Sequence, residues 1–257
     1  VESQKVLWDA HTTWELAELV RQDPVVILPV GALEQHGPHL PLDTDTHIVG
    51  ELAKAAASRA GCPCFLLPPV WFGLSEHHMG FCGTLTVRPS TLLEVVFDLL
   101  RSLKRHGVNK VLLLNGHGGN MAVLRSAVDR AGAELGLRAV LATYWHLVGE
   151  EIAAWRLSPR GGMSHGCELE TSLKFYLRPE DVRQEKMKPN IVPGNDFWSP
   201  DMFAANKVAI FRAYKELSPE GHIGDPTKAS AGLGEKVFEA AVEKLVDIVA
   251  LMHRGEL

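Results

Sequence analysis

Val25-Val-Ile-Leu-Pro-Val30 is an unbroken apolar run, and Gly31-Ala-Leu-Glu34-Gln-His36-Gly follows it at once. A run this short, without polar alternation, reads as a strand covered on both faces. Thr12-Thr-Trp-Glu15 upstream fits a capping box, opening a helix to about Arg21 that Pro24 stops. Downstream, a loop from Gly31 to about Asp45 leads into an Ala-rich helix over Ile48 to Arg59. Phe65-Leu-Leu67 reads as a second buried strand, and Ser90 or Thr91 as the cap of a helix ending near His106-Gly107. Lys110 to Leu114 and Ala139 to Tyr144 supply two further strands, separated by a glycine-rich turn and a helix to Leu135. A helix from near His165 to before Pro179 follows, and the last spans about Leu233 to His253. Between them Lys188 to Pro226 carries many Pro, Asn and Gly residues, and is expected to cover a site or meet another subunit. Alternating strands and helices imply an α/β fold with a mostly parallel sheet flanked by helices on both faces, and we expect one domain over residues 1–257.

The bulk properties exclude more than they assign. The chain has 257 residues, 46% hydrophobic and 22% charged, which suits a globular domain able to bury its own core. A net charge of −5 leaves no basic footprint for nucleic acid. No apolar run approaches a membrane span, and no basic–apolar leader opens the sequence, so a cytoplasmic protein is expected. Cys62, Cys64, Cys82 and Cys167 have no zinc or redox spacing and read as reduced thiols.

In parallel sheets, ligands bind beyond the carboxyl ends of the strands, and the chemistry-bearing residues fall in those loops. Of 12 histidines, His36, His39, His47, His77, His78, His117, His146, His165 and His222 lie in or beside them. Chance scattering does not explain that placement. His39, His47 and His146 are assigned to caps and loop packing. His36 and His117 are assigned to metal because carboxylates accompany them. Glu34 and His36 reach one metal through a tight turn, or each reaches one of a pair, with Asp45 able to bridge both. Asp43 is assigned to helix capping. Imidazole mixed with carboxylate suits zinc, manganese or iron better than calcium or magnesium. Gly116, Gly118 and Gly119 around His117 allow positive φ and close backbone approach, and the following helix N-terminus can hold an oxyanion or a carboxylate.

Leu28 to Gly37 with Asp43-Thr-Asp45, Asn115-Gly-His117-Gly-Gly-Asn120, and His165-Gly-Cys-Glu168-Leu-Glu170-Thr-Ser172 resemble successive motifs of the creatininase family of amidohydrolases. Glu76-His77-His78 with Phe81 to Thr84 resembles its substrate-side loop, and Gly224-Asp225-Pro226 a segment near its C-terminus. The resemblance implies two divalent metals per chain, a homohexamer and a small-molecule substrate. It implies Glu34, Asp45 and His117 on one metal, and His36, Asp45 and a further glutamate on the other. The resemblance also implies that water attacks the substrate carbonyl and that His165 passes the proton to the leaving nitrogen. His78, Gly118, Gly119 and Trp145 are the expected substrate contacts.

Creatinine-hydrolysing members carry a glutamate where this chain has Gly119, and a second tryptophan that is missing here. Creatinine is therefore a doubtful substrate. Family activities also include deformylation, peptide trimming and hydrolysis of sugar-derived carbonyl compounds. A keto-sugar or lactone hydrolase, and a metal-binding protein without turnover, remain alternatives. Glu168 is the expected replacement ligand, because it stands where those members hold an apolar residue, whereas they share Glu170.

Overall fold

The computed structural model describes residues 6–257. The expectation that no targeting segment opens the chain lies partly outside them. In order come α1 (Thr13–Leu19), β1 (Val25–Val30), α2 (Thr44–Arg59), β2 (Cys64–Leu66), α3 (Pro89–Arg105), β3 (Lys110–Asn115), α4 (Met121–Leu135) and β4 (Arg138–Thr143). There follow α5 (Tyr144–Leu147), α6 (Gly149–Trp155), β5 (Met163–His165), α7 (Glu168–Leu177), α8 (Tyr214–Leu217), β6 (Ile223–Gly224) and α9 (Ala231–Arg254). The expected α/β architecture is present. β2-β1-β3-β4 form one parallel sheet, with Val25 opposite both Cys64 and Lys110.

Alternate strand residues feed two cores. Val25, Ile27, Leu112 and Leu114 pack with Val49 and Leu52 of α2, Leu173 of α7 and Val242 of α9. Val26, Leu28, Val111 and Leu113 pack with Leu92 and Val96 of α3 and Leu124 of α4. Both faces of the sheet are covered, which is why β1 and β3 read as continuous apolar runs.

Several local expectations shift. The Thr12–Glu15 capping box forms with both reciprocal bonds. α3 starts instead at Pro89, with extended Arg88 as its N-cap; proline's fixed φ and missing N–H suit the first helical position. Asp43 holds the N-cap position of α2 but makes no capping bond. Its carboxylate faces Lys174 at 3.8 Å and Arg178 at 3.5 Å. The helix expected near His165 begins at Glu168, because Met163–His165 pair antiparallel with Ile223–Gly224. Among the described residues no helix is long and apolar enough to cross a membrane.

Chain order gives the crevice its place. From β1 the chain passes to β2 on one side; from β3 it passes to β4 on the other. The carboxyl ends of β1 and β3 therefore flank a topological switch point, where loops part and leave room for a ligand.

Candidate metal centre and catalytic pocket

Glu34 and His36 follow β1, His117 follows β3, and Asp45 is the second residue of α2. All four are buried. Each histidine is aimed by a backbone carbonyl. His36 Nδ1 lies 3.0 Å from the Glu34 carbonyl, so Nε2 faces Asp45 Oδ1 at 2.9 Å. His117 Nε2 lies 3.0 Å from the Leu74 carbonyl, so Nδ1 faces Asp45 Oδ2 at 3.1 Å and Glu34 Oε1 at 3.3 Å. Asn115 clamps the His117 backbone, accepting from its N–H at 3.1 Å and donating to its carbonyl at 2.8 Å. A ring nitrogen fixed on a carbonyl turns the other inward, where the neutral ring presents its lone pair, the arrangement of metal-binding histidines.

Gln35, between the two ligand candidates, organises the remaining imidazoles. Its amide Nε2 donates to the Gly221 carbonyl at 3.0 Å and to His78 Nδ1 at 2.7 Å. That bonding assigns the His78 proton to Nε2, which stands 3.2 Å from Glu34 Oε1. His165 Nε2 donates to the Gln35 carbonyl, leaving Nδ1 unprotonated 3.6 Å from Glu34 Oε1. Sequence reasoning gave Gln35 no role; its position inside the Glu-Gln-His motif was the available signal.

Glu170 completes the cluster and Glu168 does not. Ligand atoms of His36, Asp45 and Glu170 lie within 4.8 Å of one another, as do those of Glu34, His77 and His117, and those of Glu34, His36 and His165. Glu168 turns away: its carboxylate accepts from Leu157 N–H and Ser158 N–H, each at 2.8 Å. Residues two apart on a helix point about 200° apart. With Glu170 facing the crevice and accepting from Gly166 N–H at 2.6 Å, Glu168 is left to anchor the chain after α6. The sequence pointed to Glu168 as the ligand; here its carboxylate lies on the Leu157 and Ser158 amides, and Glu170 is the one beside His36 and Asp45.

Electrostatics mark the cluster as a cation site. Burial opposes ionisation of Glu34, but His117 and His78 outweigh it and hold the carboxyl well below its usual range. Burial also opposes the His36 cation, yet Asp45 raises it to about 9. His117 is raised well above the normal imidazole range, its burial outweighed by Glu34 and Asp45. Burial and Asp45 push Glu170 up to about 7, against the pull of His36. Burial, His36 and His78 hold His165 well below the usual imidazole range. Even so, Glu34 Oε1 and Oε2 and Asp45 Oδ2 are buried without a hydrogen bond; the nearby imidazoles lie at charge-pair distance but outside hydrogen-bond geometry. Buried carboxylate oxygens are rarely left so. Three clustered carboxylates with inward imidazole nitrogens fit divalent metal.

The cluster lies in a cavity of about 400 Å³. Its lining includes the expected His78, Gly118, Gly119, Trp145 and His165, together with Ser164, Asp201, Asn206 and Tyr214, which sequence reasoning missed. Gly116, Gly118 and Gly119 do not use positive φ. Two of them serve close approach: a Cβ on Gly116 would meet Val49 at 2.7 Å, and one on Gly119 the Leu74 carbonyl at 2.3 Å. Gly118 faces open space. Elsewhere, His39 bonds Gly166 and Thr171, and His47 lies 3.2 Å from Lys174 Nζ.

The chain thus places a carboxylate–imidazole cluster, of the kind that can hold divalent metal, at the switch point of a parallel α/β sheet. The profile of the creatininase family, described as creatinine amidohydrolase, matches residues 10–249. A mycofactocin precursor peptide peptidase of Mycobacterium ulcerans (strain Agy99) is 32% identical, over 90% of this chain and 87% of the relative. A creatinine amidohydrolase of Pseudomonas putida is 29% identical, over 95% and 96%. Among solved structures, a mutant creatininase of Zn-Zn type aligns with a TM-score of 0.80 at 27% identity, covering 95% of this chain and 96% of that one. A creatininase with Mn gives 0.80 at 28% identity, over 95% and 97%. The chain belongs to the creatininase family of amidohydrolases.

Proposed function

We propose that the protein is a dinuclear metal-dependent hydrolase that cleaves an amide or cyclic amide C–N bond of a small molecule. The observation that carries this reading is the buried cluster itself, with Asp45 facing both His36 and His117 and three carboxylate oxygens lacking hydrogen bonds. Glu34, Asp45 and His117 would hold one ion, with His77 in reach; His36, Asp45 and Glu170 would hold the other. Zinc, manganese or iron suits this donor set, and the ions would supply Lewis acidity toward a carbonyl oxygen and toward water.

The chain's own groups do the rest. His165 Nδ1 accepts a proton in the cavity and returns it to the leaving nitrogen, a role it can take because Nε2 is committed to the Gln35 carbonyl. His78 Nε2–H steadies Glu34. Gly118 and Gly119, just before α4, offer backbone close to where an oxyanion develops. Trp145 supplies an aromatic wall. On the same reading the protein is a cytoplasmic homohexamer of single-domain chains.

The test is turnover by metal-loaded protein on a panel of cyclic amides, formamides, short peptides, lactones and keto-sugars. Amine release from an amide is expected, with creatinine among the poorer substrates; turnover of lactones or keto-sugars alone overturns the reading. His165→Ala should slow the reaction by about 10²–10⁴-fold while keeping its metal.

A further inference from the structure

The reaction cavity does not end at its lining. A second groove of about 300 Å³ shares four of its residues: His77, Pro200, Asn206 and Tyr214. We propose that the two form one substrate site in two compartments, and that the outer groove receives an apolar, ring-sized group carried on the scissile amide. This rests on the amide-hydrolase reading above and names the kind of substrate it serves.

Tyr214 is the partition. Its ring lies 4.1 Å from that of His78, 5.2 Å from His77 and 5.1 Å from His165. Ser164, the residue before His165, lines the same cavity beside it. The tyrosine is thus held at the boundary by the residues of the reaction site. The outer wall is also fixed. Asn206 accepts from Ser199 N–H at 2.7 Å and donates to the Ser199 carbonyl at 2.9 Å. Next to Pro200, on the reaction-cavity side of the same segment, Asp201 pairs with Arg156 at 2.8 Å and accepts from Gly161 N–H at 2.8 Å. These bonds make the segment a shaped surface although it lacks regular structure.

The outer lining selects the ligand's chemistry. Trp198, Ile210 and Phe211 face the groove, and Ile210 and Phe211 are 58% and 67% exposed. Its one cation, Arg212, is committed to Glu216 at 3.0 Å and sits over Trp198. A groove neutralised within itself and walled by aromatic residues favours an uncharged ring or branched chain over a charged group. Continuity with the reaction cavity assigns the face to substrate and not to another copy of the chain.

Metal-loaded full-length protein should be assayed with glycylglycine, glycylphenylalanine and phenylalanylglycine, so that a ring is offered on either side of the bond. One aromatic dipeptide should exceed glycylglycine in kcat/KM by about 10–100-fold, the scale of apolar-pocket discrimination. Trp198→Ala and Phe211→Ala should each cut that ratio at least fivefold, through KM more than kcat, ~5-fold being within the effect of losing part of such a pocket. Calorimetric binding of the same dipeptides to metal-loaded His165→Ala gives a readout without turnover. Aromatic binding that weakens when Phe211→Ala is added supports the groove even if no dipeptide is cleaved, and the amide-hydrolase reading is then decided separately by the wider substrate panel. Equal binding of all three dipeptides, or no binding, overturns the proposal. So does a fall in oligomer mass in Trp198→Ala with aromatic binding intact, which would give the face to a second copy.

Discussion

A Cβ on Gly119 would stand 2.3 Å from the Leu74 carbonyl and 2.5 Å from His117 Nε2, the two partners that aim His117. Gly118, its neighbour, has nothing within 4 Å. The contrast makes a controlled pair. Gly119→Ala should displace His117 and weaken metal binding at least about tenfold, as loss of a supporting contact to a ligand does. Gly118→Ala should keep metal affinity, read by titration of both variants against a chromophoric chelator. Equal affinity in the two would contradict the role given to Gly119. The same crowding leaves no room for a side chain at 119 as the loop stands, while Glu170 of α7 brings a third carboxylate to the cluster.

Glu170 and Glu168 separate in the same way. Glu170→Gln should lose the weaker-held metal and keep its fold. Glu168→Gln should keep both metals and lose about 1–3 kcal/mol of stability, since the buried carboxylate serves two amide donors and a carboxamide oxygen replaces it poorly. Thermal melts with metal titration decide; greater metal loss from Glu168→Gln would reverse the assignment. Glu34, His36, Asp45 and His117 were legible as candidates because each follows a strand end or opens a helix beside the crevice. The choice between Glu168 and Glu170 was not legible, because helical phase says they diverge without saying which one faces inward.

Helix α7 carries Glu170, and one turn later Lys174, whose side chain is wholly buried. Its ammonium reaches Asp181 Oδ2 at 2.9 Å, His47 Nδ1 at 3.2 Å and Asp43 Oδ1 at 3.8 Å. His47 lies on α2 and Asp43 just before it, so this one cation ties the helix bearing Glu170 to the helix bearing Asp45. Breaking a buried pair costs about 3–5 kcal/mol, and partly exposed aspartates bring the figure to the low end. Lys174→Met should therefore lower the melting temperature by roughly 6–12 °C in a chain of this size. A change under ~2 °C would mean that the pair contributes little, as exposed pairs do. Of the elements, β1 and β3 were legible from their apolar runs. β5, β6 and α8 were not, because β5 and β6 are a non-local pair of two or three residues and α8 is a single turn. Ser90 misled because proline at the first helical position outranked a nearby hydroxyl as the start signal.

At the scale of the whole molecule, strand order decides where the chemistry falls. With β1 beside β3, the loops bearing Glu34 and His117 meet at the switch point, and α2 and α7 bring Asp45 and Glu170 from one flank. The alternation of strands and helices foretold the parallel sheet, and the clustering of histidines foretold the edge used. The cover over the site was foretold only as a segment, since Asp201, Asn206 and Tyr214 are placed by side-chain bonds and ring contacts that leave no periodic trace. The central claim is a paired metal site on which hydrolysis depends, and elemental analysis of protein purified without chelator, alongside amide turnover, tests it most directly. About two equivalents per chain are expected, with activity lost on chelation and regained on adding zinc or manganese. One equivalent with full activity, or turnover undiminished after both ions are stripped, would contradict it.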